Sequence, residues 1–341
     1  MQNSPPLPDK AGGASRKWRC LTMLSVLVIA SWMAAPLACA ERPWLSPNYR
    51  DHPLAGTVWT ADFKPVTAQQ LETAAAQANF VLLGEIHNNA DHHRLQAQMI
   101  EALVRAGRRP AVVFEMIPAS LQAGLDRHLQ SSPADAAGLG KFLNWEERGW
   151  PDWAIYQPVA EAALAAKLPL RGGALDRDTS RAIGKSDPSQ AKLILDLGLD
   201  QPVRPEAVAG LAREIEDGHC NMLPKSAVKP MIMVQRAVDA QLAKILLGAT
   251  PKDGAVLIAG SGHARKDWAV PTFIKQKLPD ASVISIAFFE VDPERPAAAD
   301  YVDPIAGLGA PYDFIYFTPK ADLVDRCAEM AEQMGKIRPK P

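Results

Sequence analysis

Cysteine is scarce in this chain. Four occur in 341 residues, at positions 20, 39, 220 and 327. No two form a C-x-x-C pair, and C-x-x-C-H is absent, which excludes covalent haem attachment and a local thiolate zinc motif. H-E-x-x-H is absent too, so no metal signature is complete within one segment. Aromatic residues make up only 6% of the chain. Runs of Lys and Arg are lacking, and the formal charge is −1, which speaks against nucleic acid as a partner. No internal repeat or low-complexity tract occurs. Beyond residue 40 no apolar run is long enough to span a bilayer.

What is present begins with an export signal. Lys10, Arg16, Lys17 and Arg19 precede the apolar run "CLTMLSVLVIASWMAA" and then "PLACA". Ala38 and Ala40 fit cleavage before Glu41. Cys39 also admits lipid attachment, although Pro36 stands where a lipobox has a Leu-like residue. Soluble release into the periplasm and an outer-membrane anchor through Cys39 both stand as readings. Removing residues 1–40 takes four basic residues from 37 and one acidic residue from 38, leaving 33 and 37. Cys220 and Cys327 survive in the mature chain, and an oxidising compartment would permit them to pair.

The rest reads as alternating strands and helices. "ANFVLLGE" (78–85), "RRPAVVFEMIP" (108–118), "KLPLRGGALDRD" (167–178), the start of "GAVLIAGSGHARKDWAVP" (254–271) and "ASVISIAFFE" (281–290) are apolar runs suited to buried parallel strands. "DFIYFT" (313–318) suits an edge strand. "DHHRLQAQMIEALVRAG" (91–107) has helical spacing, so residues 78–118 predict a βαβ unit with the two strands paired. Amphipathic helices fill most of the interval between the second and fourth strands. The expected fold is α/β: a mostly parallel central sheet flanked by helices, with an inserted helical subdomain. The expected division is a signal at 1–40, an arm at 41–77, an α/β domain at 78–290 with its insertion at about 118–248, and a C-terminal extension at 291–341.

Ligands bind beyond the carboxyl ends of strands in such sheets. There the sequence places Glu85 and His87, then Glu115, then Asp176, then His263 in "AGSGHA". Glu85, His87, Glu115 and His263 are therefore expected to share one cleft. Three of the seven histidines fall within "VLLGEIHNNADHH" (81–93), but His92 and His93 lie in the first helical turn, where a structural role is favoured. "LNWEERGWPDWAIYQP" (143–158) concentrates Trp145, Trp150, Trp153 and Tyr156. It reads either as a small core clamping the insertion to the sheet or as a wall for a flat apolar ligand, with Tyr156 supplying an oxygen to iron.

"LLGEIHNNADHHRLQ", "VVFEMIP", "WPDWAIYQPV", "MIMVQRAVDAQLA" and "VLIAGSGHARKDWAVP" resemble, in this order, the motif blocks of the ChaN-like haem-binding uptake proteins. These belong to the Tiki/TraB/erythromycin-esterase superfamily. The resemblance covers about residues 78–290. It implies a parallel-sheet core with a helical subdomain, site positions at Glu85, His87, Glu115 and His263, and noncovalent haem. It also implies a homodimer, a tyrosine on the iron, histidine near the propionates, and an outer-membrane haem receptor as partner. Tyr156, Gln235 and Asp239 fall in its blocks with roles left open, and Tyr301, Tyr312 and Tyr316 remain candidate iron ligands. "GGALDRD" departs from the family's Ala-Asn-x-x-Arg, so Asp176 and Arg177 only approximate that block.

Two functions are consistent with these residues. One is an exported protein that captures haem for iron uptake, with Tyr156 the leading iron ligand. The other is a hydrolase using Glu85 or Glu115 as general base, with histidines holding a metal or moving protons. The fold alone does not choose between them.

Overall fold

The computed structural model describes residues 43–249, 253–302 and 304–337. The expected export signal and Cys39 lie outside the described residues. Eight strands form one sheet: β1 (Val58–Thr60), β2 (Pro65–Val66), β3 (Phe80–Glu85), β4 (Ala111–Pro118), β5 (Leu170–Ala174), β6 (Ala255–Gly260), β7 (Val283–Glu290) and β8 (Phe314–Thr318). Their order is β2-β1-β8-β7-β3-β6-β4-β5. β3 to β8 run parallel, and β1 and β2 add an antiparallel edge. The sheet is therefore mostly parallel, as the apolar runs imply.

Alternation along the strands feeds two cores. Val81 and Leu83 of β3 face a cluster with Ile100, Leu103 and Val159, from helices Ala90–Arg105 and Trp153–Ala165. Phe80 and Leu82 face the opposite cluster, with Leu242, Leu246 and Phe273 from helices Lys225–Ala249 and Val270–Lys277. Both faces of the sheet are covered, which is why these strands read as continuous apolar runs. Each fully buried Leu or Phe contributes roughly 1.5–3 kcal/mol of burial.

The order of strands departs from the sequence reading in two places. β3 and β4 do not pair, because β6 lies between them and bonds to both. β6 is nearly all buried, and its two unsatisfied edges need partners as much as β3 and β4 do. β8 is also not an edge: β1 and β2, from the arm, cover it. β5, the strand expected within 167–178, joins the sheet as its far edge.

One close approach positions His263. A Cβ on Gly84 would meet Ser261 Cα at 2.8 Å and Ala264 Cβ at 2.9 Å. Only glycine lets the short helix Ser261–Ala264 sit directly on β3. His263 is thereby carried to the carboxyl end of the sheet, beside Glu85 and His87.

Candidate functional site

Glu85 is the last residue of β3 and is buried. His87 Nδ1 lies 2.8 Å from Glu85 Oε1, and the Tyr156 hydroxyl donates to the same oxygen at 3.0 Å. The carboxylate accepts both, so Nδ1 carries the proton. His87 Nε2 has no hydrogen-bond partner among the described residues and is not one of the buried orphan atoms. Its side chain is 37% exposed. The ring packs over Gly260, where a Cβ would stand 3.3 Å from Nε2. Trp150 meets the ring edge-on, with centroids 5.1 Å apart.

A second group stands behind it. His263 is held between two acids, with Nδ1 2.6 Å from Asp239 Oδ1 and Nε2 3.3 Å from Glu115 Oε1. Glu115 Oε2 accepts from the Gly260 amide at 2.8 Å. Gln235 lies 3.3 Å from the His263 ring. Gln235 and Asp239 are four residues apart on helix Lys225–Ala249, so they share a face. The sequence alone gives Asp239 no definite role, and its one signal is a lone acid in an apolar helical run.

The charges follow from this geometry. Burial disfavours the His263 cation, but Glu115 and Asp239 outweigh it and raise its pKa well above the usual imidazole range. Burial opposes the His87 cation as well, yet Glu85, with help from Glu115, pushes it up to about 9. Burial would raise Glu115, but His263 and His87 bring it down to about 2. Asp239 goes the other way: burial lifts it to about 6 against the pull of His263.

A pH profile of stability follows from these two acids. Glu115, depressed in the fold, stabilises fully above its ordinary 4.5 and loses that contribution as pH falls toward 2. Asp239, raised in the fold, gains stability as pH falls from 6 toward its ordinary 3.8. The melting temperature is expected to hold between pH 6 and 4.5, where the gain at Asp239 offsets the cost of keeping His92 neutral, then drop steeply below 4. A steady decline from pH 6 downward would contradict this assignment.

His92 and His93 are structural. His92 is fully buried. Its Nδ1 accepts from the Ile86 amide at 2.9 Å and its Nε2 meets Thr318 Oγ1 at 2.8 Å. Burial, then His93, lowers its pKa well below the ordinary value, so it stays neutral. His93 spans Gln96 Oε1 and the His87 carbonyl, which fixes the loop that carries His87.

Among the aromatic residues, Trp145 and Trp153 are buried and spend their indole N–H groups on the carbonyls of Pro151 and Ala136. Tyr156 is fully buried against Trp145 and His93. Burial and Glu85 raise its hydroxyl pKa, so it is held as a neutral donor. Of the tryptophans here Trp150 meets the His87 ring, and the Tyr156 hydroxyl lies 3.3 Å from His87 Nδ1. Glu85, His87, Glu115, Tyr156 and His263 thus come together at one sheet edge, with His87 outermost and Tyr156 innermost. Asp176 stands apart, bonded to Ser120 at 2.6 Å.

A family model described as haem-binding uptake, Tiki superfamily, ChaN matches residues 71–274. The chain belongs to this family. Among solved structures, ChaN of Campylobacter jejuni, described as binding haem cofacially, is 19% identical with a TM-score of 0.60, and the match covers 76% of this chain and 95% of that one. The likeness is one of fold. An erythromycin esterase, EreC, in its open conformation, is 13% identical with a TM-score of 0.44 over 76% of this chain and 95% of its own. The type III effector HopBA1 is 16% identical with a TM-score of 0.43, over 73% and 92%. No curated protein matches the chain. In this chain Glu85, His87, Glu115 and His263 stand together toward the carboxyl ends of β3, β4 and β6.

Proposed function

We propose that this protein binds haem noncovalently for iron uptake, with His87 Nε2 on the iron and Trp150 against the porphyrin. The observation that carries this is the state of His87. Its Nδ1 is fixed by a buried carboxylate, and its Nε2 is the one ring nitrogen of the cluster without a partner among the described residues; it carries a proton below about pH 9, which iron must displace to bind there. Imidazole ligands of metals are held in this way, with the far nitrogen donating to a carboxylate that sets the tautomer and strengthens the bond. Bound haem would supply the iron, and His87, supported by Glu85, and Trp150 would hold and orient it. Tyr156 is too deep to reach such a ligand and serves to hold Glu85. The hydrolase reading lacks an accessible base: both oxygens of Glu115 are engaged, and Glu85 is shut in behind His87 and Tyr156, its Oε2 without a hydrogen bond but buried.

Titration with ferric haem is expected to give a Soret shift. Tyr156→Phe should leave the position of the band unchanged, because the hydroxyl only supports Glu85. A wild type without a Soret shift would sink the reading, and a band lost in Tyr156→Phe would return the iron to that phenol. The site is open, so the outer face of the haem stays uncovered. Two loaded copies stacked face to face would cover it, in keeping with the cofacial haem of the Campylobacter protein. Sedimentation should then show dimers only with haem. An outer-membrane haem receptor remains the partner that uptake implies.

Export belongs to the same proposal. The basic and apolar segments before Ala40 support it, and so does the Cys220–Cys327 disulfide, since such bonds persist in oxidising compartments. The mass of the mature N-terminus decides between release at Glu41 and lipidation at Cys39. An intact Met1 in cells would overturn both.

A further inference from the structure

The imidazoles have little positive charge to offer a ligand. His87 faces Glu85, and His263 is held between Glu115 and Asp239. Two guanidiniums next to Trp150 are differently placed. Arg148 is half-buried and donates from Nη2 to the Met116 carbonyl at 2.8 Å, near the carboxyl end of β4. Its Nη1 is buried without a hydrogen-bond partner. Arg177, the first residue of helix Arg177–Gly184, is exposed and donates to the Arg148 carbonyl. Its Nη2 lies 3.8 Å from where a Cβ on Gly149 would stand, one residue from Trp150.

Neither guanidinium makes an ion pair with a described residue. Of the acids flanking Arg177, Asp178 pairs with Arg181, and Asp176 takes a bond from Ser120 and leaves the amides at the start of its helix uncapped by its side chain. Burial and the Arg177 charge both disfavour the Arg148 cation, with only Asp176 opposing them. Two like charges, one with an unmet buried donor, make an arrangement that an anion would relieve. A carboxylate fits best, because the planar guanidinium fork matches its two oxygens. Arg177 is the movable part: its exposed side chain can turn from the Arg148 carbonyl to an incoming oxygen. Trp150 spans the distance, with its ring on His87 and its backbone beside Gly149.

We propose that Arg148 and Arg177 form a carboxylate subsite that takes the acidic arms of the flat ligand laid on Trp150. This rests on the haem reading for the identity of that ligand. It also departs from the family expectation of histidine near the propionates, because here each imidazole is already matched by an acid.

The test compares metal-free protoporphyrin IX with its dimethyl ester, by porphyrin fluorescence. Wild type is expected to prefer the diacid by about 10- to 100-fold, the range of one or two charge-assisted bonds. Arg177→Gln, at an exposed site where folding is not at stake, should remove most of that preference and leave ester affinity unchanged. Arg148→Lys keeps the charge without the fork and should fall between. An equal diacid preference in wild type, Arg177→Gln and Arg148→Gln would overturn the subsite while leaving haem binding standing. Citrate supplies an arm without porphyrin. If wild type binds neither porphyrin yet citrate raises its melting temperature, and fails to raise that of the Arg148→Gln/Arg177→Gln variant, the subsite stands and the haem reading falls. No porphyrin binding and no citrate effect would sink both.

Discussion

His87→Ala is expected to weaken ferric haem binding by more than about 100-fold, beyond the roughly 10- to 100-fold typical of losing a partner that only orients a metal ligand. Glu85→Gln should fall inside that lower range. The amide keeps the size of the carboxylate and can still accept from His87 Nδ1, but it no longer carries the charge that strengthens the imidazole. The two variants therefore separate ligation from support. Far-ultraviolet circular dichroism should be unchanged in His87→Ala, whose side chain is partly exposed. Glu85→Gln is the riskier fold, because Glu85 accepts from both His87 and Tyr156 at the buried end of β3. Binding within about threefold of wild type in His87→Ala, too small a change for a lost ligand bond, would remove His87 from the iron. His263 is not the obvious replacement, since both its nitrogens face acids.

Much of this site is legible without the fold. The end of an apolar strand is a place for chemistry, and Glu85, Glu115 and His263 each come after such a run. Their convergence needs only a parallel sheet. Its strand order is a different matter. β6 lies far along the chain from β3 and β4 yet separates them, and nothing local in "AVLIAG" says which edges it will fill. The depth of each residue is hidden for a similar reason. In "WEERGWPDWAIY" the aromatic density suits a core and a wall equally well. The helix phase puts Trp153 and Tyr156 inward, and the turn at Gly149, with φ of 82°, leaves Trp150 half out. Tyr156 reads in the sequence as an oxygen near the site, and its burial against Glu85 is visible only once helix Trp153–Ala165 is packed on helix Ala90–Arg105. Arg148 gives no signal at all, since an arginine after two glutamates reads as an ordinary surface charge.

The disulfide carries the other large effect. Cys220 comes just after helix Pro205–Gly218 and Cys327 lies in the first turn of helix Arg326–Ile337, 107 residues along the chain. Sequence permits the two thiols to pair without requiring it, and the structure joins them. In the chain-entropy picture a loop of this length is worth about 4–5 kcal/mol, although typical measured values are about 2–4 kcal/mol. What the bond holds sets where the loss appears. From Arg326 to Gln333 the terminal helix is exposed except for half-buried Met330, so little apolar burial fastens it. The segment before it is better tied: Lys320 pairs with Asn48, the Ala321 amide donates to Glu290, and Asn88, next to His87, donates to Asp322 at 2.7 Å. The Cys220→Ser/Cys327→Ser variant should therefore lose about 2–4 kcal/mol of unfolding free energy if helix and sheet unfold together. If the helix frays first, the global loss shrinks. Hydrogen exchange should then show protection lost from residues 326–337 while 318–322 stay protected by their own bonds. Either result keeps the bond as the tie of the terminal helix. An unchanged melting temperature together with unchanged exchange at 326–337 would show that other contacts hold the helix.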